Sequence, residues 1–192
     1  MKVSDFIAKY LKEKYMVDNI FLVSGGGAMH LNNSFGKYIP YLCNHHEQAS
    51  AIAAEGYARV DQKLAVVNVT TGPGGLNSLN GVFGQWTDSV PVLYISGQVK
   101  FATTIASCPD IPLRQLGDQE VDIISVVKHL TKYAVMVTDP ESIKYHLDRA
   151  VYEATNGRFG PVWLDIPINV QAATVNEEKL EDFKLPAKQE YK

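Results

Sequence analysis

Six short runs of consecutive apolar residues, at 19–23, 39–43, 64–69, 90–97, 132–137 and 160–167, alternate along the chain with segments of helical periodicity. A strand that is apolar at every position, rather than at every second one, must be covered on both faces. Strands spaced by helix-length segments cannot close as hairpins and pair in parallel through crossovers. The chain therefore predicts an α/β fold: a doubly wound, mainly parallel sheet with helices on both faces. Right-handed crossovers gather the turns at 24–28, 44–47, 70–75 and 97–118 at the strands' carboxyl edge, the place to look for chemistry.

The helical segments are read from their apolar spacing. Val3, Phe6, Ile7, Tyr10 and Leu11 predict an amphipathic helix over 3–15, and a weaker one follows at about 28–36. Another opens at Glu47, and a further helix is marked by Leu76, Leu79, Val82 and Phe83. The run at 39–43 reads as a buried strand. A short helix is expected at 119–128, and Asp139-Pro140-Glu141-Ser142 starts a helix whose face is Ile143, Leu147, Ala150, Val151 and Ala154. From 98 to 118 the pattern dissolves into a polar loop, a length that in a compact domain marks function or disorder. The domain is placed at 1–172, with 173–192 a charged, aperiodic linker or tail.

Charge and composition exclude several classes. The net charge is −3 with no basic cluster, which argues against nucleic acid as partner. No apolar run approaches the roughly 18 residues that span a bilayer. Two cysteines, Cys43 and Cys108, supply neither a disulfide framework nor metal-ligand spacing. The expectation is a soluble cytoplasmic protein that binds no membrane.

Glu47 is the leading candidate group. It falls in the first turn of a helix with small residues at 50, 53, 54 and 58, and Gly56 would allow close backbone approach. The helix's positive end favours a carboxylate there, whereas burial among alanines opposes its charge. A helix cap and a working acid/base are both open on this stretch alone. Gly25-Gly26-Gly27 follows a strand, but His30 breaks the dinucleotide-binding spacing, and no phosphate-loop run is present. Cys43, His45 and His46 diverge in a tight turn with no second ligand cluster, so no metal site is expected. No Gly-x-Ser-x-Gly elbow exists, neither cysteine has a local base, and His30, His129 and His146 read as surface or boundary residues. Thr70-Thr71-Gly72-Pro73-Gly74-Gly75 is a stiff turn poor in side chains, with Asn77 in the first turn of the helix it opens.

Taken together, these stretches resemble the pyrimidine-binding domain of thiamine-diphosphate enzymes, in the acetolactate synthase branch. The resemblance rests on Gly26-Gly27-Ala28, His46-Glu47-Gln48 through Gly56-Tyr57-Ala58-Arg59, and Thr71-Gly72-Pro73-Gly74 with Asn77. It continues in Asp88-Ser89-Val90-Pro91-Val92, Ser96-Gly97-Gln98-Val99, Gln119-Glu120-Val121-Asp122 and Gly160-Pro161-Val162-Trp163-Leu164-Asp165-Ile166-Pro167, in collinear order over 1–172.

The resemblance implies a role for each matched residue. The Glu47 carboxyl would hydrogen-bond N1′ of the aminopyrimidine, so that the 4′-nitrogen can remove the thiazolium C2 proton before attack on a 2-keto acid. A buried glutamate suits such proton sharing. Gly26 and Gly27 would let the backbone approach cofactor or substrate, and Thr70, Pro73 and Asn77 would line the pyrimidine pocket. Gln119 would face the reaction centre from the neighbouring subunit, with Ala28 and Asp118 at positions that select the second substrate. The cofactor would lie between this domain and the diphosphate domain of another subunit, which implies a homodimer or homotetramer.

Departures from the pattern refine that expectation. Ser24-Gly25 stands where the family usually has Tyr-Pro, and Asp118 replaces an aromatic residue. An acid there would repel a second anionic keto acid, which motivates the alternative of a keto-sugar nucleotide or other non-pyruvate acceptor. The diphosphate half carries Gly-Asp-Gly and, some two dozen residues on, Asn-Asn; Gly117-Asp118-Gln119 is not that motif, and no Asn-Asn follows it. The chain alone is thus expected to hold the pyrimidine end only and to be inactive, with Mg²⁺ bound elsewhere. A non-catalytic subunit of a split enzyme is the remaining alternative. The flavin of acetolactate synthases contacts mainly the middle domain, so these residues leave FAD undetermined.

Overall fold

A computed structural model of the chain describes residues 1–61 and 63–186, so the end of the expected tail, 187–192, lies outside the described residues. Six parallel strands form one sheet in the order β2-β1-β3-β4-β6-β5. These are β1 (Ile20–Leu22), β2 (Tyr41–Cys43), β3 (Ala65–Val69), β4 (Val92–Gln98), β5 (Ala134–Met136) and β6 (Val162–Pro167). The helices are α1 (Val3–Tyr15), α2 (Met29–Tyr38), α3 (Glu47–Asp61), α4 (Pro73–Asn77), α5 (Leu79–Asp88), α6 (Ile123–Val127), α7 (Ile143–Thr155) and α8 (Ile168–Ala172).

The continuous apolar runs have a simple cause. Successive side chains of a strand point to opposite faces. Leu93, Ile95, Val162 and Leu164 enter the layer under α1, α2 and α7. Val92, Tyr94 and Trp163 enter the layer under α3 and α5. The Tyr94 and Trp163 rings stack there with centroids 4.8 Å apart. Each central strand thus serves two cores and has no polar face to show.

Four expectations need correction. The run at 39–43 is not a buried strand: among the described residues β2 pairs with β1 alone, and Tyr41, Leu42 and Cys43 are all exposed along this edge. Gly56 is exposed and has open space where a Cβ would stand; the close approach to α3 comes from Gly81, whose added Cβ would lie 2.4 Å from the Ala51 Cβ. The helix after the Pro73 turn breaks into α4 and α5 at Ser78, whose hydroxyl donates to the Gly75 carbonyl at 2.7 Å. Leu76 and Phe83 then face outward, while Val82 is buried. The expected helix at 119–128 begins only at Ile123, where the Asp122 side chain accepts from the Ser125 amide at 3.1 Å. Residues 117–120 are spent on a turn instead.

The polar stretch from 98 onward is ordered by short 3₁₀ turns at Phe101–Thr103 and Ile105–Ser107. Beyond 172 the chain runs alongside α1, with Val3 N donating to Ala173 O and Val175 N to Met1 O, each at 2.8 Å. Val175 and Leu180 are buried, and Phe183 packs on Tyr145 and Tyr152 of α7. Among the described residues, no helix is long and apolar enough to cross a membrane.

Candidate functional site

The carboxyl ends of β1, β2, β3 and β4 meet in one place. The turn after β1 is fixed to the turn after β3 because Gly27 N donates to Thr70 Oγ1 at 3.0 Å. It is fixed to β4 because Gly97 lies so close that a Cβ would come within 2.1 Å of the Gly27 carbonyl oxygen. From the other side, Gln171 of α8 donates to that same carbonyl at 2.7 Å. Gly72 adopts φ +59°, a left-handed conformation that glycine takes without Cβ strain, and turns the chain into α4 with Pro73 at its first position.

Glu47 opens α3 beside this turn. Its side chain is buried, with the residue only 8% exposed, although its helix end faces the open carboxyl edge. Asn77 Nδ2 donates to Glu47 Oε2 at 2.9 Å. Among the described residues no donor reaches Oε1. A Cβ at Gly74 would stand 3.5 Å from that oxygen, so glycine there keeps its surroundings clear. Oε1 is not sealed off from solvent, so the carboxyl keeps one accessible, uncommitted acceptor at the carboxyl edge of the sheet.

The structure brings Glu47, Thr70, Asn77 and Gly27 into one constellation, with Pro73 exposed at its edge. Gly26 is exposed with nothing within 4 Å of an added Cβ, whereas Gly27 is partly closed off by Thr70 and Thr71. Gln119 reaches the constellation through its backbone: a Cβ on Gly72 would lie 2.1 Å from the Gln119 carbonyl oxygen. Asp118 and Gln119 are exposed. Ala28 is not brought to this opening; it is fully buried in the layer with Leu31 and Phe35. A cleft of about 620 Å³ lies elsewhere, between the 101–113 segment and α6. Among the described residues, no group of three His, Cys, Asp or Glu side chains is placed to hold a metal.

Beneath the Thr70–Gly75 turn lies a buried polar chain to which the motifs gave no role. Trp163 Nε1 donates to Ser96 Oγ at 2.8 Å, and Ser96 Oγ donates to Asp165 Oδ1 at 2.6 Å. Gln98 Nε2 donates to Asp165 Oδ2 at 3.1 Å, and its Oε1 accepts from the Thr71 hydroxyl. Burial pushes the Asp165 carboxyl up to about 7, against the opposing pull of its two hydrogen bonds. The sequence signal was available: Ser96 and Asp165 are polar residues within apolar runs and Gln98 directly follows one, and a buried polar residue is the informative kind.

The chain belongs to a family of thiamine-dependent enzymes: residues 1–126 match the family described as thiamine pyrophosphate enzyme, N-terminal TPP binding domain. Its curated relatives include acetolactate synthase 1, chloroplastic, of Oryza sativa subsp. japonica, 34% identical over 176 residues, 88% of this chain and 25% of the relative. The chloroplastic acetolactate synthase of Arabidopsis thaliana is 34% identical over 175 residues, 88% of this chain and 24% of the relative. The acetolactate synthase large subunit of Lactococcus lactis subsp. lactis is 32% identical over 185 residues, 95% of this chain and 30% of the relative. The chain thus spans about a quarter of the length of the first two.

Proposed function

We propose that this chain is the pyrimidine-binding part of a thiamine-diphosphate-dependent enzyme that decarboxylates a 2-keto acid, pyruvate foremost, and ligates the product to an acceptor, as acetolactate synthase does. The observation that supports this most directly is the buried Glu47 carboxyl, with Oε2 held by Asn77 and Oε1 left for a ligand. When bound, the cofactor supplies the heterocycle that takes up the electrons of decarboxylation. Gly26, Gly27, Thr70, Pro73 and Asn77 would line the pyrimidine end. Asn77 fixes the rotation of the Glu47 carboxyl. Glu47 holds or releases one proton at Oε1.

Mg²⁺ and the diphosphate end fall to a separate diphosphate-binding domain of a neighbouring subunit or chain, in a homodimer or homotetramer. Supporting this, Ile52 of α3, Leu76 of α4 and Phe83 and Trp86 of α5 remain exposed on the helices that carry or flank the site. Exposed apolar side chains of this size on adjacent elements are the mark of an interface. The test is thiamine-dependent decarboxylation of pyruvate by the assembled enzyme, beside Glu47→Gln. Loss of turnover in the variant with cofactor present supports the reading; equal turnover overturns it.

Asp118 favours a second reading for the acceptor alone. It is exposed beside Gln119, where its charge would oppose a second keto acid. Product analysis with pyruvate alone, and with pyruvate plus a keto-sugar nucleotide, separates the two. Rapid acetolactate formation without the sugar removes the second.

A further inference from the structure

Glu120 is a buried carboxylate, and among the described residues no cation pairs with it. Three backbone amides reach it instead. Ile105 N donates to Oε1 at 2.6 Å, and Leu116 N and Gly117 N donate to Oε2 at 3.1 Å each. These donors come from both arms of the polar segment that follows β4, so one side chain ties the segment into a closed loop. Charged acceptors make the stronger hydrogen bonds, and several backbone donors on one carboxylate satisfy it without a counter-ion.

The bond from Glu120 N to Gly117 O, at 3.2 Å, closes the turn over 117–120. Gly117 is packed so tightly that a Cβ would lie 2.6 Å from the Thr103 carbonyl oxygen. Within this turn Gln119 is held at φ +56°, a left-handed conformation that a residue with a Cβ rarely adopts. Its carbonyl presses on Gly72, itself at φ +59°, on the turn that frames Glu47. Residues held in such conformations persist only where the surroundings over-determine them, and they cluster at working sites.

We infer that Glu120 is a positioning residue: its carboxylate, by gathering the amides of Ile105, Leu116 and Gly117, sets the loop so that Gln119 stands at the rim of the Glu47 site. The role assigned to Gln119 rests on the function proposed above; the effect on the loop does not.

Amide hydrogen exchange on the full chain tests the loop directly. In Glu120→Gln the amides of Ile105, Leu116 and Gly117 should exchange at least about tenfold faster, the change that losing one charge-assisted bond brings. Amides of β4 and α3 should exchange as before. Unchanged protection at the three amides overturns the inference, and so does a uniform loss across the sheet, which would make Glu120 a general stability residue.

In the assembled enzyme, Glu120→Gln and Gln119→Ala should each lower kcat about tenfold, with KM for the keto acid moving less than twofold. The double variant should be no slower than Gln119→Ala, because both changes remove one element. Multiplicative losses would sink the coupling. If the unaltered enzyme shows no thiamine-dependent turnover, the proposed function fails and the coupling falls with it, while the exchange result still decides what Glu120 does to the loop.

Discussion

Asn77 and Glu47, thirty residues apart, are joined by one hydrogen bond of 2.9 Å that crosses from the first turn of α3 to the last residue of α4. It settles which carboxyl oxygen is occupied and which is presented. Glu47→Gln keeps the shape and one acceptor but loses the ability to share a proton, so the assembled enzyme should lose at least about 100-fold in kcat. Asn77→Ala should cost about tenfold, because it frees the carboxyl to rotate without removing it. Steady-state decarboxylation kinetics, with thermal melts of each variant within a few degrees of the parent, check both.

The glycines divide by what they touch. Gly97→Ala would drive a methyl into the Gly27 carbonyl and should destabilise the chain by about 3 kcal/mol. Gly56→Ala, in an exposed helix interior with open space, should stabilise it by about 0.5–1 kcal/mol. Denaturant midpoints of the two variants should move in opposite directions.

Asp165 gives stability a pH dependence of unusual sign for a carboxyl. Its value in the folded chain, about 7, is above the unfolded value of about 3.9. The folded state therefore binds the extra proton, and this contribution is fully present below about pH 4 and lost as pH rises towards 7. Linkage puts the loss on the order of 4 kcal/mol. Unfolding free energies measured from pH 4 to pH 8 should fall over that window and flatten in Asp165→Asn.

Phe83 is 58% exposed on α5. Phe83→Glu should leave the melting temperature of the chain within about 2 °C, since nothing buried is disturbed. In the assembled enzyme the same change should weaken association, read by sedimentation velocity as a shift to the smaller species.

The sheet, its parallel strands and the gathering of turns at one edge were legible in the residues because both-sided burial leaves an unbroken apolar run. Glu47, Thr70 and Asn77 were legible because stiff turns and helix starts are local. What escaped were relations between distant segments. The outward edge of β2 depends on which strand lacks a neighbour, and an apolar run cannot announce that. Gly56 and Gly81 look alike in sequence, yet only the packing of α5 on α3 decides which one is crowded.

By itself the amino-acid order determined the architecture and the family, since those follow from local periodicity and short motifs. Tertiary structure alone decided the rest. It turned Glu120 inward and Gln119 outward, kept Ala28 in the core, and set Asp165 beneath the turn at Thr71 through Gln98. The reason is physical: a side chain's burial and partners are properties of the space between elements, and that space exists only once the sheet has formed.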